Sequence, residues 1–325
     1  MRTHPMTLAA FLLLATTPAG SAQARDCAEG QRAFEHAAGT TCVPKDPRRI
    51  VTMQDQNALL PLLELGVRPV GSAGHVLEDD SAVFRRTQGY DTEVIAFVGS
   101  YRGPVDREAV AALAPDLIVV TPFPEEFAEQ LAPIAPTVTI DMFEQPLADA
   151  LMQFADLVGE TERAEALRGA FDAKAAETRR ALGDWLADTT VSVLIYDEAG
   201  DRFYAVNEVQ AWQMLFDGLG FPRPAVEEAL GTDRVYKSME AIGEHAADVM
   251  ILVTFSGDQS VFDANFDAFA AHPLVRTLPV AQAGQLFQVD GAEVLGAAWQ
   301  KPMNGLDAFA EILMRDDLDR DLVAE

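Results

Sequence analysis

The chain has 325 residues, room for one large domain or two modest ones, and 49% of them are hydrophobic, enough for true cores. Its 51 acidic residues against 24 lysines and arginines leave a formal charge of −27, which argues against nucleic acid or an anionic membrane as partner. It does not argue against an anionic small ligand, because a few arginines can reverse the potential inside a cleft.

Residues 1–24 read as a secretory signal peptide. Arg2 and His4 precede an apolar run, LAAFLLLA, that is too short for a bilayer span of ~20 residues. Ala22 and Ala24 supply small residues at the −3 and −1 positions of a cleavage site. Cys27 follows in a context that does not look like a lipid acceptor, so a soluble periplasmic chain without stable membrane insertion is expected. Cys27 and Cys42 are the two cysteines of the chain. In an exported protein such a pair predicts a disulfide. Closing a loop of about 15 residues contributes ~3 kcal/mol in the chain-entropy model. The hairpin between them would turn at Gly39.

The segment RRIVTM then reads as a strand and NALLPLLELG as a helix with a glycine stop. VRPVGSAG and VIAFVG are strands, and DREAVAALAPDLIVV is helix, turn and strand, capped by Asp106 and ended by Pro115. EEFAEQLAPIAPTVTID repeats helix then strand. The alternation predicts a parallel sheet covered by helices. Residues 147–187 carry no strand signal but apolar residues at helical spacing, a long linking helix with Gly159 as the point where it can break. Alternation resumes with TVSVLIYD, VQAWQMLFDGLG, MEAIGEHAADVMILV, LFQVD and a last helix. The expected organisation is an α/β N-terminal lobe over 25–146, the linking helix, and an α/β C-terminal lobe over 188–325. EAVAALAPDLIVV (108–120) and EAIGEHAADVMIL (240–252) share one pattern, which suggests that the two lobes contain equivalent units. Ligands of parallel sheets sit at the carboxyl ends of the strands, and clefts between lobes are common sites.

Taken in order, HAAGTTCVPKDPRRIV, ALLPLLELGVRPVG, VGSYRGPVDREAVAALAPDLIVV, the long helix, the second EAI…ADVMIL unit and HPLVRTLPVAQAGQLFQVD resemble the periplasmic substrate-binding proteins of iron-siderophore, haem and cobalamin ABC importers. The hairpin and FRRTQGYD (84–91) are most similar to binders of ferric siderophores or ferric citrate. The resemblance implies two Rossmann-like lobes joined by a rigid helix, a ligand cleft between them, a monomer, no catalysis and no cofactor. The cargo would be an Fe3+ chelate and the partner an ABC permease dimer.

Such a ligand calls for aromatic walls and arginine forks. Arg102 and Tyr101 follow the strand VIAFVG, where the resemblance implies an arginine meeting iron-bound oxygens. Arg202 and Tyr204 in the second lobe, Trp212 opening its helix, Arg234 and Tyr236 before the second repeat, Phe255 after it and Trp299 before the last helix are further candidates. So are 54–57 and His75 in the first lobe. The resemblance also implies one acidic docking residue per lobe, Glu125 in the first and Asp258 or Asp263 in the second. Haem or cobalamin stays open, with Tyr101, Tyr204 or His75 as an axial ligand for haem. An exported hydrolase stays open too, although G-x-S-x-G, P-loop and H-E-x-x-H motifs are all missing.

Overall fold

The computed structural model describes residues 27–77, 79–206, 210–255 and 259–323. The expected signal peptide lies outside them. The chain opens with a hairpin, β1 (Gln31–His36) and β2 (Gly39–Pro44), paired from Gln31↔Pro44 to His36↔Gly39. Gly39 sits at φ +117, which a residue with a Cβ rarely adopts. A disulfide joins Cys27 to Cys42. The hairpin docks on the first lobe, with Ala37 donating to the carbonyl of Thr139 at 3.0 Å.

The first lobe is built on β3 (Ile50–Thr52), β4 (Gly71–Val76), β5 (Ala82–Val83), β6 (Ala96–Ser100), β7 (Leu117–Val120) and β8 (Thr137–Thr139). The parallel order is β6-β4-β3-β7-β8, with β5 turned back antiparallel onto β4. The second lobe holds β9 (Val191–Asp197), β10 (Arg202–Ala205), β11 (Lys237–Ser238), β12 (Val249–Thr254) and β13 (Leu286–Asp290). Its order is β11-β10-β9-β12-β13. Here β9, β12 and β13 are parallel, while β10 and β11 form an antiparallel edge. The central strands LIVV of β7 and VMILVT of β12 are buried throughout, as strands covered on both faces must be.

The repeated unit does the same work twice. Asp116 accepts from the backbone N–H groups of Arg48 (2.8 Å) and Arg49 (2.9 Å), and its own N–H bonds Arg49. Asp248 accepts from the N–H of Thr190 at 2.7 Å, and its own N–H bonds Thr190. In each lobe the aspartate one residue ahead of the central strand pins the start of the neighbouring strand, β3 or β9, and so sets the register.

The linking segment is two helices, not one. Leu147–Val158 ends at Gly159 in the left-handed conformation (φ +78), and Thr161–Leu182 continues at a new angle. A left-handed glycine is the usual C-terminal stop. One apolar cluster runs from Ile50 and Leu117 through Phe154 and Phe171 to Trp212, Val249 and Phe309, so the lobes share a core through the linker. Two further ties cross between lobes: Ala297 N–H to the Gln56 carbonyl at 3.1 Å, and Gln210 to Asn57 at 3.2 Å. Among the described residues, no helix is long and apolar enough to cross a membrane.

Candidate functional site

The carboxyl ends of both sheets face one cleft of about 460 Å³, within the ~300–1,000 Å³ usual for ligand pockets. From the first lobe come Gln54 and Asn57 after β3, Tyr101 and Arg102 after β6, Thr121 and Phe123 after β7, and Phe143 beyond β8. The segment between β5 and β6 adds Arg85 and Arg86. The second lobe supplies Ile195 of β9, Tyr204 of β10, Trp212, Arg234 and Phe255. Thus Arg102, Tyr101, Tyr204, Trp212, Arg234 and Phe255, all named from sequence, converge on the cleft.

The electrostatics of the cleft run against the rest of the chain. Four arginines line it, and among the described residues no lining side chain is a carboxylate. Arg85 is already neutralised. Its Nε and second amino group reach Asp55 at 2.9 and 2.6 Å, and its remaining nitrogen donates to the Tyr101 hydroxyl at 3.0 Å. Arg86, Arg102 and Arg234 have no ion pair among the described residues. Each lies on an aromatic face: Arg102 over Tyr101 (5.1 Å), Arg234 over Tyr204 (5.1 Å) and Arg86 over Phe255 (5.0 Å). Burial, with the adjacent Arg85 charge adding to it, pushes the Arg86 guanidinium down to about 10, so it stays a cation at neutral pH. Burial raises the Tyr204 phenol, which keeps it a neutral donor. Three unpaired guanidinium groups between aromatic faces can grip a bulky anion by charge-assisted hydrogen bonds and stacking.

Other candidates lie elsewhere. Trp299 is wholly buried rather than a cleft wall. Its backbone N–H donates to Glu64 at 2.8 Å, which holds the residue in the interface between lobes. Arg202 sits at the start of β10, paired with Asp197 at 2.7 Å and stacked on Tyr236 at 4.2 Å. Tyr236 packs edge-on behind Tyr204 (4.9 Å) and does not line the cleft. His75 lines a neighbouring cavity, 6.0 Å from the Tyr101 ring. Glu125 is exposed ahead of the helix Glu126–Leu131, and Asp263 is exposed on the helix Gln259–Ala271. Asp258 lies outside the described residues.

Sequence reasoning did not single out Arg85, Arg86, Phe123 or Phe143 as site residues. The one available signal was the pair of adjacent arginines in FRRTQGYD. A Ser–Glu–His cluster also exists: Glu227 accepts from Ser192 (2.6 Å) and bonds His245 (2.9 Å). All three are fully buried, and the serine donates to the carboxylate instead of to the histidine, so the cluster offers no reachable nucleophile.

Residues 70–292 match a family model described as periplasmic binding protein. The Bacillus subtilis protein named "Probable siderophore-binding lipoprotein YfiY" is 28% identical over 272 residues, covering 80% of this chain and 80% of that one. The ferric enterobactin-binding periplasmic protein FepB of Escherichia coli is 26% identical over 321 residues, covering 94% of this chain and 98% of its own. Staphylococcus aureus SirA, solved in complex with staphyloferrin B, superposes with a TM-score of 0.72 at 23% identity, over 88% of this chain and 99% of that chain. All three of these proteins are named for binding or solved with a ligand bound.

Proposed function

This chain belongs to the periplasmic binding protein family, and on that premise we propose that it is exported to the periplasm, captures a ferric siderophore or ferric citrate as a monomer, and delivers it to an ABC importer. One observation carries the reading: a cleft with four arginines and no lining carboxylate among the described residues, in a chain of net charge −27. Such a cleft favours an anionic, partly aromatic chelate, and iron enters as cargo rather than as a resident cofactor. The names of the relatives, which bind a siderophore or ferric enterobactin, support the same class.

The test is quenching of intrinsic fluorescence, since Trp212 lines the cleft. The panel is ferric hydroxamates, ferric catecholates, ferric citrate, haem and cobalamin, with iron-free forms where they exist. Saturable quenching by a ferric class at micromolar concentration or below is expected. Silence across the panel, with no shift in melting temperature, would remove the reading. Arg102→Ala should then weaken the bound ferric chelate by ~1–3 kcal/mol through loss of a charge-assisted contact. Unchanged affinity would take Arg102 out of the site.

We also assign Glu125 to permease docking in the first lobe, with Asp263 or Asp258 in the second. Glu125→Ala should impair uptake by cells and leave the ligand affinity of the purified protein intact. Loss of affinity would contradict a docking role.

A further inference from the structure

Arg86 stands apart from the other cleft arginines. Its backbone lies in the left-handed region (φ +62), which residues with a Cβ rarely adopt. Such strain persists where the surroundings enforce it, and it clusters at ligand clamps. Its guanidinium has neither a hydrogen bond nor an ion pair among the described residues and lies 5.0 Å from the centre of the Phe255 ring, which belongs to the opposite lobe. That ring is seated against Gly291, where an added Cβ would come within 2.2 Å of it. Arg86 and Phe255 also form a shared wall. On one side is the cleft, and on the other a second cavity of about 870 Å³ bounded by His75, Phe84 and Phe262.

Building on the anionic-chelate reading, we propose that Arg86 is the specificity-determining cation of the cleft: it pairs with an anionic oxygen at the periphery of the ferric chelate, and the Phe255 ring is the seat it leaves to do so. The exchange is favourable because a charge-assisted hydrogen bond in a desolvated cleft is stronger than a cation–π contact to a partly exposed ring. Arg85 cannot take this role, since Asp55 holds it.

The test uses four iron complexes on the full mature protein: ferrioxamine B, its N-acetyl and N-succinyl forms, and ferric enterobactin. The first three share one iron centre and differ only in a peripheral cation, neutral amide or carboxylate. Arg86→Ala is expected to weaken N-succinyl ferrioxamine by about tenfold or more, and to change the other three, which carry no peripheral anion, by less than about threefold. Phe255→Leu removes the seat but also a cleft wall, so whatever its effect on overall affinity it should keep or enlarge the preference for the N-succinyl over the N-acetyl form. Arg86→Gly relieves the backbone, so it should raise the melting temperature while losing the same selectivity, which keeps the test readable if the alanine variant folds poorly. Equal loss for all four complexes, or no loss for any, overturns the proposal while leaving the ferric-chelate reading in place. Loss of that preference with Phe255→Leu overturns the role of the ring. A wild-type protein that binds none of the four overturns the reading and this inference together.

Discussion

Replacing Arg85 by Ala is expected to destabilise the protein by about 3–5 kcal/mol, the range for breaking a buried ion pair from one side. The Asp55 side chain is fully buried, whereas that of Arg85 keeps 24% exposure toward the cleft. Without the guanidinium, Asp55 retains, among the described residues, the backbone donors Gln56 at 2.8 Å and residue 85 at 2.9 Å. The charge is then left without its partner in a low-dielectric site. The reverse change, Asp55→Ala, should cost less, because Arg85 can turn to water. The double variant should be more stable than Arg85→Ala alone, since the stranded carboxylate goes with its partner. Urea unfolding of the two single variants and the double variant gives the coupling directly. Equal costs for the two single variants would mean that the pair is not held asymmetrically, and Arg85 would then be as dry as Asp55.

This pair also shows where the sequence is legible and where it is not. Alternating helix and strand signals are local, so the two lobes, the hairpin and the linker are readable. The repeated aspartates are readable because Asp116 and Asp248 hold the same place before an aliphatic run. The antiparallel edge of the second lobe is not readable, because a strand such as RFYA carries no mark of its direction. Nor is the Arg85–Asp55 contact, in which β5 folds back on β4 to carry FRRTQGYD over the end of β3. Locally, those arginines look like any solvated pair. Trp299 misleads for a related reason. An aromatic residue ahead of the last helix reads as a cleft wall, but its position is set by Glu64, 235 residues away. Tyr101 and Phe255 directly follow parallel strands, so the carboxyl-end rule reaches them, whereas Tyr204 enters the cleft from within the antiparallel strand β10.

Glu64→Ala should cost about 2–4 kcal/mol, because this carboxylate does a helix cap's work from the other lobe. It accepts the N–H groups of Trp299 and Gln300, both at 2.8 Å, at the start of the 14-residue helix Gln300–Leu313. That helix offers no side-chain cap of its own, so alanine leaves two N–H groups without an acceptor where the lobes meet. Glu64→Gln should behave differently. Burial raises the Glu64 carboxyl above its ordinary range, and the two N–H groups, Arg163 and Lys301 only partly pull it back. With the folded pKa above the unfolded one, the folded chain binds the extra proton between them, so the contribution of Glu64 to stability falls as pH rises through that window. One carboxyl oxygen accepts from Trp299 and the other from Gln300, and the amide turns one of these acceptors into an NH2 donor. Keeping one acceptor, the glutamine variant should lie between the wild type and alanine below the unfolded carboxyl pKa, and its gap to the wild type should narrow toward pH 7, where the wild type carries the buried charge. Unfolding curves for the wild type and both variants at several pH values test this. A glutamine variant as unstable as alanine at pH 7 would mean that the ionised carboxylate, rather than the acceptor geometry, holds the lobes together.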